Sequence, residues 1–180
     1  THAIQVATAL GSRVAVTAGS RSKLDLCREL GGADVLIPYR DEDFVACVNN
    51  ATDGRGGADV ILDIMGAAYL DRNLDALAPD GRMTIIGMQG GIKAEFNIAK
   101  AVAKRLHVIG TSLRGRPVEG PHGKKAIVEA VVASVWPMIA DGRVRPPIIG
   151  ARFPIAEAAE AHRVLAAGET FGKVLLTVSE

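Results

Sequence analysis

The chain has 180 residues, 48% of them hydrophobic and only 4% aromatic, and a formal net charge of +1. Apolar residues dominated by Ala, Val and Ile suit buried parallel strands under small-residue helices better than an aromatic-cored β-sandwich, and so small a charge excludes a general field for nucleic acid or an anionic membrane surface. No run of about 18 apolar residues and no basic-then-apolar leader occurs, and Cys27 and Cys47 are too few for a disulfide framework or a cysteine-based zinc site, so the expectation is a cytoplasmic α/β protein without membrane or metal.

In residues 3–10, Ile4, Ala7 and Leu10 form a helical stripe that Gly11 is suited to stop. Residues 14–18 read as a short strand. Ser20 can cap the next helix, whose Leu24, Cys27 and Leu30 face one way before Gly31-Gly32 ends it. Val35–Pro38 is the following strand, and residues 42–51 a weaker helix closed by "DGRGG". The runs "ADVILDIMG" and "GRMTIIGMQGG" are nearly continuous in apolar residues, which predicts strands covered on both faces, with a helix over residues 69–77 between them. A short helix around residues 98–103 leads to "LHVIGTSLRG", expected as another buried strand. Ala126/Ile127, Ala130/Val131, Ser134/Val135 and Met138/Ile139 recur at helical spacing and predict one amphipathic helix that Pro137 kinks near its last turn. Pro146-Pro147 breaks the pattern, and residues 148–153, 155–167 and 173–178 follow as strand, helix and strand.

Strands and helices in alternation, with Gly at the strand ends, predict a doubly wound parallel sheet of the Rossmann type. Residues 1–145 are expected as a dinucleotide-binding domain and residues 146–180 as a return segment. In such domains an acid at the tip of the second strand, about 20 residues past a glycine motif, holds the adenosine ribose. Gly19-Ser20 stands at that place, so the spacing predicts that the chain starts immediately after the phosphate loop, with the first strand before Thr1. That strand is central in the 3-2-1-4-5-6 order, and its absence predicts a gap in the sheet.

Replacing the acid, "GSRSK" at residues 19–23 offers a hydroxyl, helix-start N–H groups and cations, a set that suits a 2′-phosphate and hence NADPH over NADH. The same residues also read as a plain Ser N-cap beside two solvated basic side chains. Tyr39, at the next strand end, could stack on adenine, with Arg40 near the same phosphate, or be an ordinary half-exposed Tyr. Gly66, Gly87, Gly90 and Gly91 fall at carboxyl ends of successive strands, the edge where ligands bind in open α/β sheets, and Ser112-Leu113-Arg114 ends the next one. No residue stands out as a catalytic nucleophile or proton donor. His2, His107, His122 and His162 lack metal spacing; Asp59 and Asp63 are placed on one face of a strand, and Asp63 reads as a satisfied structural carboxylate.

Taken together, "THAIQVA", "TAGSRSKL", "ILDIMG", "DGRMTIIGMQGG", "IGTSLRGR", "FPIAEAAEAH" and "GETFGKVLL" resemble successive segments of the cofactor-binding half of the medium-chain dehydrogenase/reductase superfamily. The resemblance is strongest to its zinc-free NADPH:quinone oxidoreductases related to zeta-crystallin. It implies that Gly19, Ser20 and Lys23 meet the adenosine 2′-phosphate and ribose, and Tyr39 the adenine. Gly66, Ala67, Gly87 and Met88 are implied along the ribose and pyrophosphate path, and Ser112, Leu113 and Arg114 on the nicotinamide side. Thr170 occupies a place where the family often has Asn near the cofactor, and is implied as a further cofactor-binding residue. The implied reaction is hydride transfer from NADPH to a quinone, with the quinone held largely by a catalytic domain outside this chain, on which the C-terminal segment packs. The isolated chain is then expected to be inactive. The family's habit of pairing edge strands makes the strand near residues 106–113 the expected seam of a homodimer. The alternatives are an enoyl reductase or alcohol dehydrogenase-like member of the superfamily, and a non-catalytic nucleotide-binding or structural protein; a methyltransferase fits least, since a neutral ribose gains nothing from the basic turn.

Overall fold

The computed structural model describes residues 1–168 and 170–178. In chain order the elements are α1 (His2–Ala9), β1 (Ala15–Ala18), α2 (Arg21–Gly31), β2 (Val35–Pro38), α3 (Phe44–Ala51), β3 (Ala58–Asp63), α4 (Leu70–Ala76), β4 (Leu77–Ile85), α5 (Ile98–Lys104), β5 (His107–Gly110), α6 (Lys124–Ser134), α7 (Trp136–Ala140), β6 (Ile149–Pro154), α8 (Ala158–Ala167) and β7 (Lys173–Thr177). The chain is α/β, and it divides into one compact unit formed by residues 1–36 and the segment from Ala130 onward, and a second spanning Ile37–Glu129.

The strands form three sheets, β1-β2, β3-β4-β5 and β6-β7. The pairings of β3 with β4, β4 with β5 and β6 with β7 are all parallel. The neighbours β1-β2 and β3-β4-β5 agree with the expected Rossmann-type α/β arrangement.

In the first unit, α2 starts where Ser20 leaves extended backbone and its Oγ accepts from the Lys23 N–H, and it stops at Gly32, which takes the left-handed conformation at φ 70°. Leu24 is fully buried. Helix α1 lies close against the end of α2: a Cβ at Gly31 would come within 2.6 Å of Ile4 Cγ2, and Thr8 Oγ1 donates to the Gly31 carbonyl at 3.0 Å. The stripe expected on α1 is only partly realised. Leu10 is 66% exposed, whereas polar Gln5 is buried because its Oε1 accepts the Arg145 N–H at 2.7 Å.

In the second unit, Leu74 and Leu77 pack on Met83, with Ile61, Leu70, Ile85 and Leu106 around them. Parallel register sets Ile61 beside Met83 and Asp63 beside Ile85 on that covered face, and Val60 beside Arg82 and Leu62 beside Thr84 on the opposite one. The opposite face is open, with Val60, Leu62 and Ile86 all about half exposed or more. Apolar runs therefore do not mean two covered faces here. Nor is β5 the buried strand expected: it is exposed along its whole length, because it stands at the sheet edge with a ladder on one side only. A register irregularity between Ala58 and Val60 also parts the two carboxylates expected on one face, leaving Asp59 exposed beside Arg55 and Asp63 buried.

Lysines hold α4 and α5 to this sheet. Lys104 Nζ donates to the carbonyls of Leu74, Asp75 and Leu77 at 3.2, 2.8 and 2.6 Å, satisfying acceptors that the end of α4 leaves open. Lys100 Nζ bridges Asp71 and Asp75 at 2.8 and 2.7 Å, and those hydrogen bonds raise its pKa. The single kinked helix expected over the Pro137 region is instead two helices, α6 and α7, with Pro137 in the first turn of the second, where its missing N–H costs no hydrogen bond.

Leu74→Ala should destabilise the protein by about 2–5 kcal/mol, and Val102→Ala, at a 70% exposed position of α5, by less than about 0.5 kcal/mol, as read from urea denaturation midpoints.

Candidate functional site

Two loops leave adjacent strand ends in the second unit, one after β3 and one after β4, and they join main chain to main chain. Ile86 N donates to Asp63 O at 2.8 Å, Gln89 N to Ile64 O at 3.2 Å and Gly90 N to Met65 O at 2.7 Å; in the other direction Ala67 N donates to Gly91 O at 3.0 Å and Ala68 N to Gly90 O at 3.2 Å. Such pairing leaves no space for side chains between the loops. A Cβ on Gly66 would fall 2.9 Å from Gly91 O and 3.2 Å from Met88 Cα, and one on Gly87 would fall 2.7 Å from Ile64 O. Gly66 also sits at φ 72°, where an L side chain is strained. The carboxylate of Asp63 anchors the turn from beneath, accepting Met65 N–H and Gly66 N–H at 2.9 Å each. The N–H groups of Gly87 and Met88 have no acceptor among the described residues. They are donors that a ligand crossing the strand ends can use.

Gly66, Ala67, Gly87 and Met88 are thus brought together as one backbone surface. Beside Ala67 an open cleft of about 620 Å³ is lined by Asp71, Ala94, Glu95, Phe96 and Asn97. Sequence reasoning passed over residues 94–97, whose only signal was a single exposed aromatic in a polar loop. Ser112, Leu113 and Arg114 follow β5 and are exposed. Arg116 shapes their loop by donating to the His122 carbonyl at 3.0 Å and Thr111 Oγ1 at 3.1 Å, while Thr111 N donates to the Ile85 carbonyl at 3.1 Å. Tyr39 stands one residue past β2 and is 39% exposed.

In the first unit, Gly19 and Ser20 lie between β1 and α2, and Ser20 Oγ, besides capping α2, is 3.2 Å from Ser22 Oγ. Lys23 Nζ donates to the Gly168 carbonyl at 2.9 Å, joining this turn to the left-handed cap of α8. Thr170 is half-buried, two residues beyond that cap. Arg21 points instead toward Asp25 of its own helix, at 3.7 Å.

The shifted ionisable groups belong to structural pairs. A hydrogen bond from Arg72 lowers the Asp43 carboxyl, and Arg72 also stacks 4.5 Å over the Phe44 ring. The Arg105 guanidinium lowers Asp80 in the same way. Burial, aided by Glu42, raises the Cys47 thiol, which is the reverse of activation.

The family model for the zinc-binding dehydrogenases matches residues 1–129. The chain is 28% identical over 173 residues to the quinone oxidoreductase of Rattus norvegicus, covering 96% of this chain and 49% of that one. Among solved structures, the quinone oxidoreductase of Escherichia coli complexed with NADPH superposes with a TM-score of 0.80 at 29% identity, covering 97% of this chain and 52% of that one. An NAD-dependent alcohol dehydrogenase does so with a TM-score of 0.79 at 31% identity, covering 98% and 47%. The chain belongs to the zinc-binding dehydrogenase family, within the medium-chain dehydrogenase/reductase superfamily, and has the Rossmann-like cofactor-domain fold of that superfamily's oxidoreductases. It spans about half the length of the curated relatives it matches. No group of three or more His, Cys, Asp or Glu side chains comes together among the described residues.

Gly66→Ala should lower stability by about 1–3 kcal/mol, since it adds strain at a positive φ and a clash with Gly91 O, whereas Gly115→Ala, with open space around it, should leave the urea midpoint near that of the native protein.

Proposed function

We propose that the chain is the NADPH-binding part of a cytoplasmic oxidoreductase that passes hydride to a quinone. The observation that carries this reading is the strand-end surface of Gly66, Ala67, Gly87 and Met88: main chain without intervening side chains, at the carboxyl edge of a parallel sheet, with the Gly87 and Met88 N–H groups open. Only backbone that close can follow a ribose and pyrophosphate at hydrogen-bond range. Membership in a family of nicotinamide-dependent oxidoreductases supports it.

When bound, the nicotinamide supplies the hydride; the protein supplies position and electrostatics. On this reading Ser20 and Lys23, with Gly19 allowing close approach, hold the 2′-phosphate, and Tyr39 stacks on adenine. In that role the Lys23 ammonium, which donates to the Gly168 carbonyl, would leave that carbonyl or share itself with the phosphate. Gly66, Ala67, Gly87 and Met88 line the ribose and pyrophosphate path, Ser112, Leu113 and Arg114 border the nicotinamide, and Thr170 lies near the cofactor. The acceptor is held largely by a domain outside these residues. The exposed edge of β5, with Val108 38% and Ile109 44% exposed, is the proposed seam of a homodimer.

A second reading is an NAD-dependent alcohol dehydrogenase, favoured by the 31% identity to a solved structure of that title. Binding separates the two. The protein should bind NADPH more tightly than NADH, and Lys23→Ala should weaken NADPH by about tenfold while leaving NADH unchanged, as measured by calorimetry. Equal affinity for the two coenzymes, unaltered by that substitution, would contradict the phosphate assignment. Steady-state assays of the full-length protein, which carries the domain that holds the acceptor, with a quinone, an enoyl thioester and an alcohol then assign the acceptor.

A further inference from the structure

Asp63, which the sequence alone presents as a satisfied structural carboxylate, ends β3 on the covered face of its sheet and is 5% exposed. Both its oxygens accept from main chain only, Oδ1 from Met65 N–H and Oδ2 from Gly66 N–H, and no cationic side chain pairs with it among the described residues. Such a carboxylate is held in place by oriented N–H dipoles, and it fixes the direction of the two peptides it touches.

Those two peptides control the strand-end surface. The Met65 carbonyl accepts Gly90 N–H at 2.7 Å, the shortest of the bonds joining the two loops, and Gly66 holds the positive φ that turns the chain toward Gly91. The 87–91 loop is in turn held to the 64–68 loop by the bonds of Gln89, Gly90 and Gly91. The orientation of the open Gly87 and Met88 N–H groups therefore depends on a carboxylate that does not itself face the ligand.

We propose that Asp63 is a positioning residue for the dinucleotide: its carboxylate preforms the glycine surface before ligand arrives, and so selects for the nicotinamide-proximal part of the ligand and not its adenosine end. This rests on the NADPH reading of the same surface. Two acceptor oxygens are required, because an amide of the same shape offers one acceptor only and turns its NH2 against a second N–H. Asp63→Asn is thus a change of one hydrogen bond at constant volume.

The test compares two ligands on the purified protein. For Asp63→Asn the dissociation constant of NADPH should rise by about tenfold or more, the loss of one charge-assisted hydrogen bond's worth of preorganisation, while that of 2′,5′-ADP, which carries the adenosine end alone, stays within about twofold. Unchanged NADPH affinity, or equal weakening of both ligands, would overturn the proposal. If the variant fails to fold, the native protein still decides. Its Met65 and Gly66 amide protons should be protected from exchange without ligand and no more protected with NADPH; amides that gain protection only when NADPH is added would show that the surface is not preformed. A native protein that binds 2′,5′-ADP and NADPH not at all, yet protects those amides, would refute the NADPH reading and leave the structural role of Asp63 standing.

Discussion

The site depends on two stretches of backbone approaching closer than any side chain allows. At the ends of β3 and β4 the loops exchange hydrogen bonds in both directions, and the space a methyl group would need at Gly66 or Gly87 is already filled by carbonyl oxygen. Glycine there is a steric requirement of the contact. The approach is possible because parallel register brings the two strands to their ends together, with Asp63 beside Ile85, so both chains turn out of the sheet at the same level. Main-chain donors then remain at an edge where the sheet supplies no further acceptors.

A second set of interactions keeps that edge still by fixing the opposite side of the unit. Leu74, Leu77 and Met83 exclude water from the covered face, while Lys104 closes the carboxyl end of α4 and Lys100 ties α4 to α5 through two aspartates. Exposed pairs such as Arg105–Asp80 contribute little individually. The Lys104 contacts weigh more, since three carbonyls at a helix end share one partly buried ammonium. Support for the strand ends thus comes from packing and main-chain bonding together with the lysine contacts of α4 and α5.

Much of this was legible in the residues. Ser20 and Gly32 bounded α2 because capping chemistry is local, and the glycines of "DIMG" and "IGMQGG" marked the strand ends because few other residues can stand where backbones meet. What could not be read depended on distant partners. Gln5 is buried because of Arg145, far along the chain, and β5 is exposed although its residues are as apolar as those of a core strand, because the hydropathy of a segment does not say whether a neighbour lies on each side. Asp63 looked like an isolated acid in an apolar strand. Its meaning lay in two N–H groups just downstream, whose directions follow from the turn at Gly66. The basic turn at residues 19–23 remained double in sense, and its geometry shows why: Ser20 does cap a helix, and Lys23 does have an ordinary partner, without either use excluding a phosphate.

The most direct measurement of the central claim is a titration of the isotopically labelled protein with NADPH, followed through its amide resonances. If the glycine surface binds the dinucleotide, the Gly87 and Met88 amide protons, which have no acceptor among the described residues, shift downfield in proportion to occupancy. Saturation with ligand while those two resonances stay fixed would contradict the account.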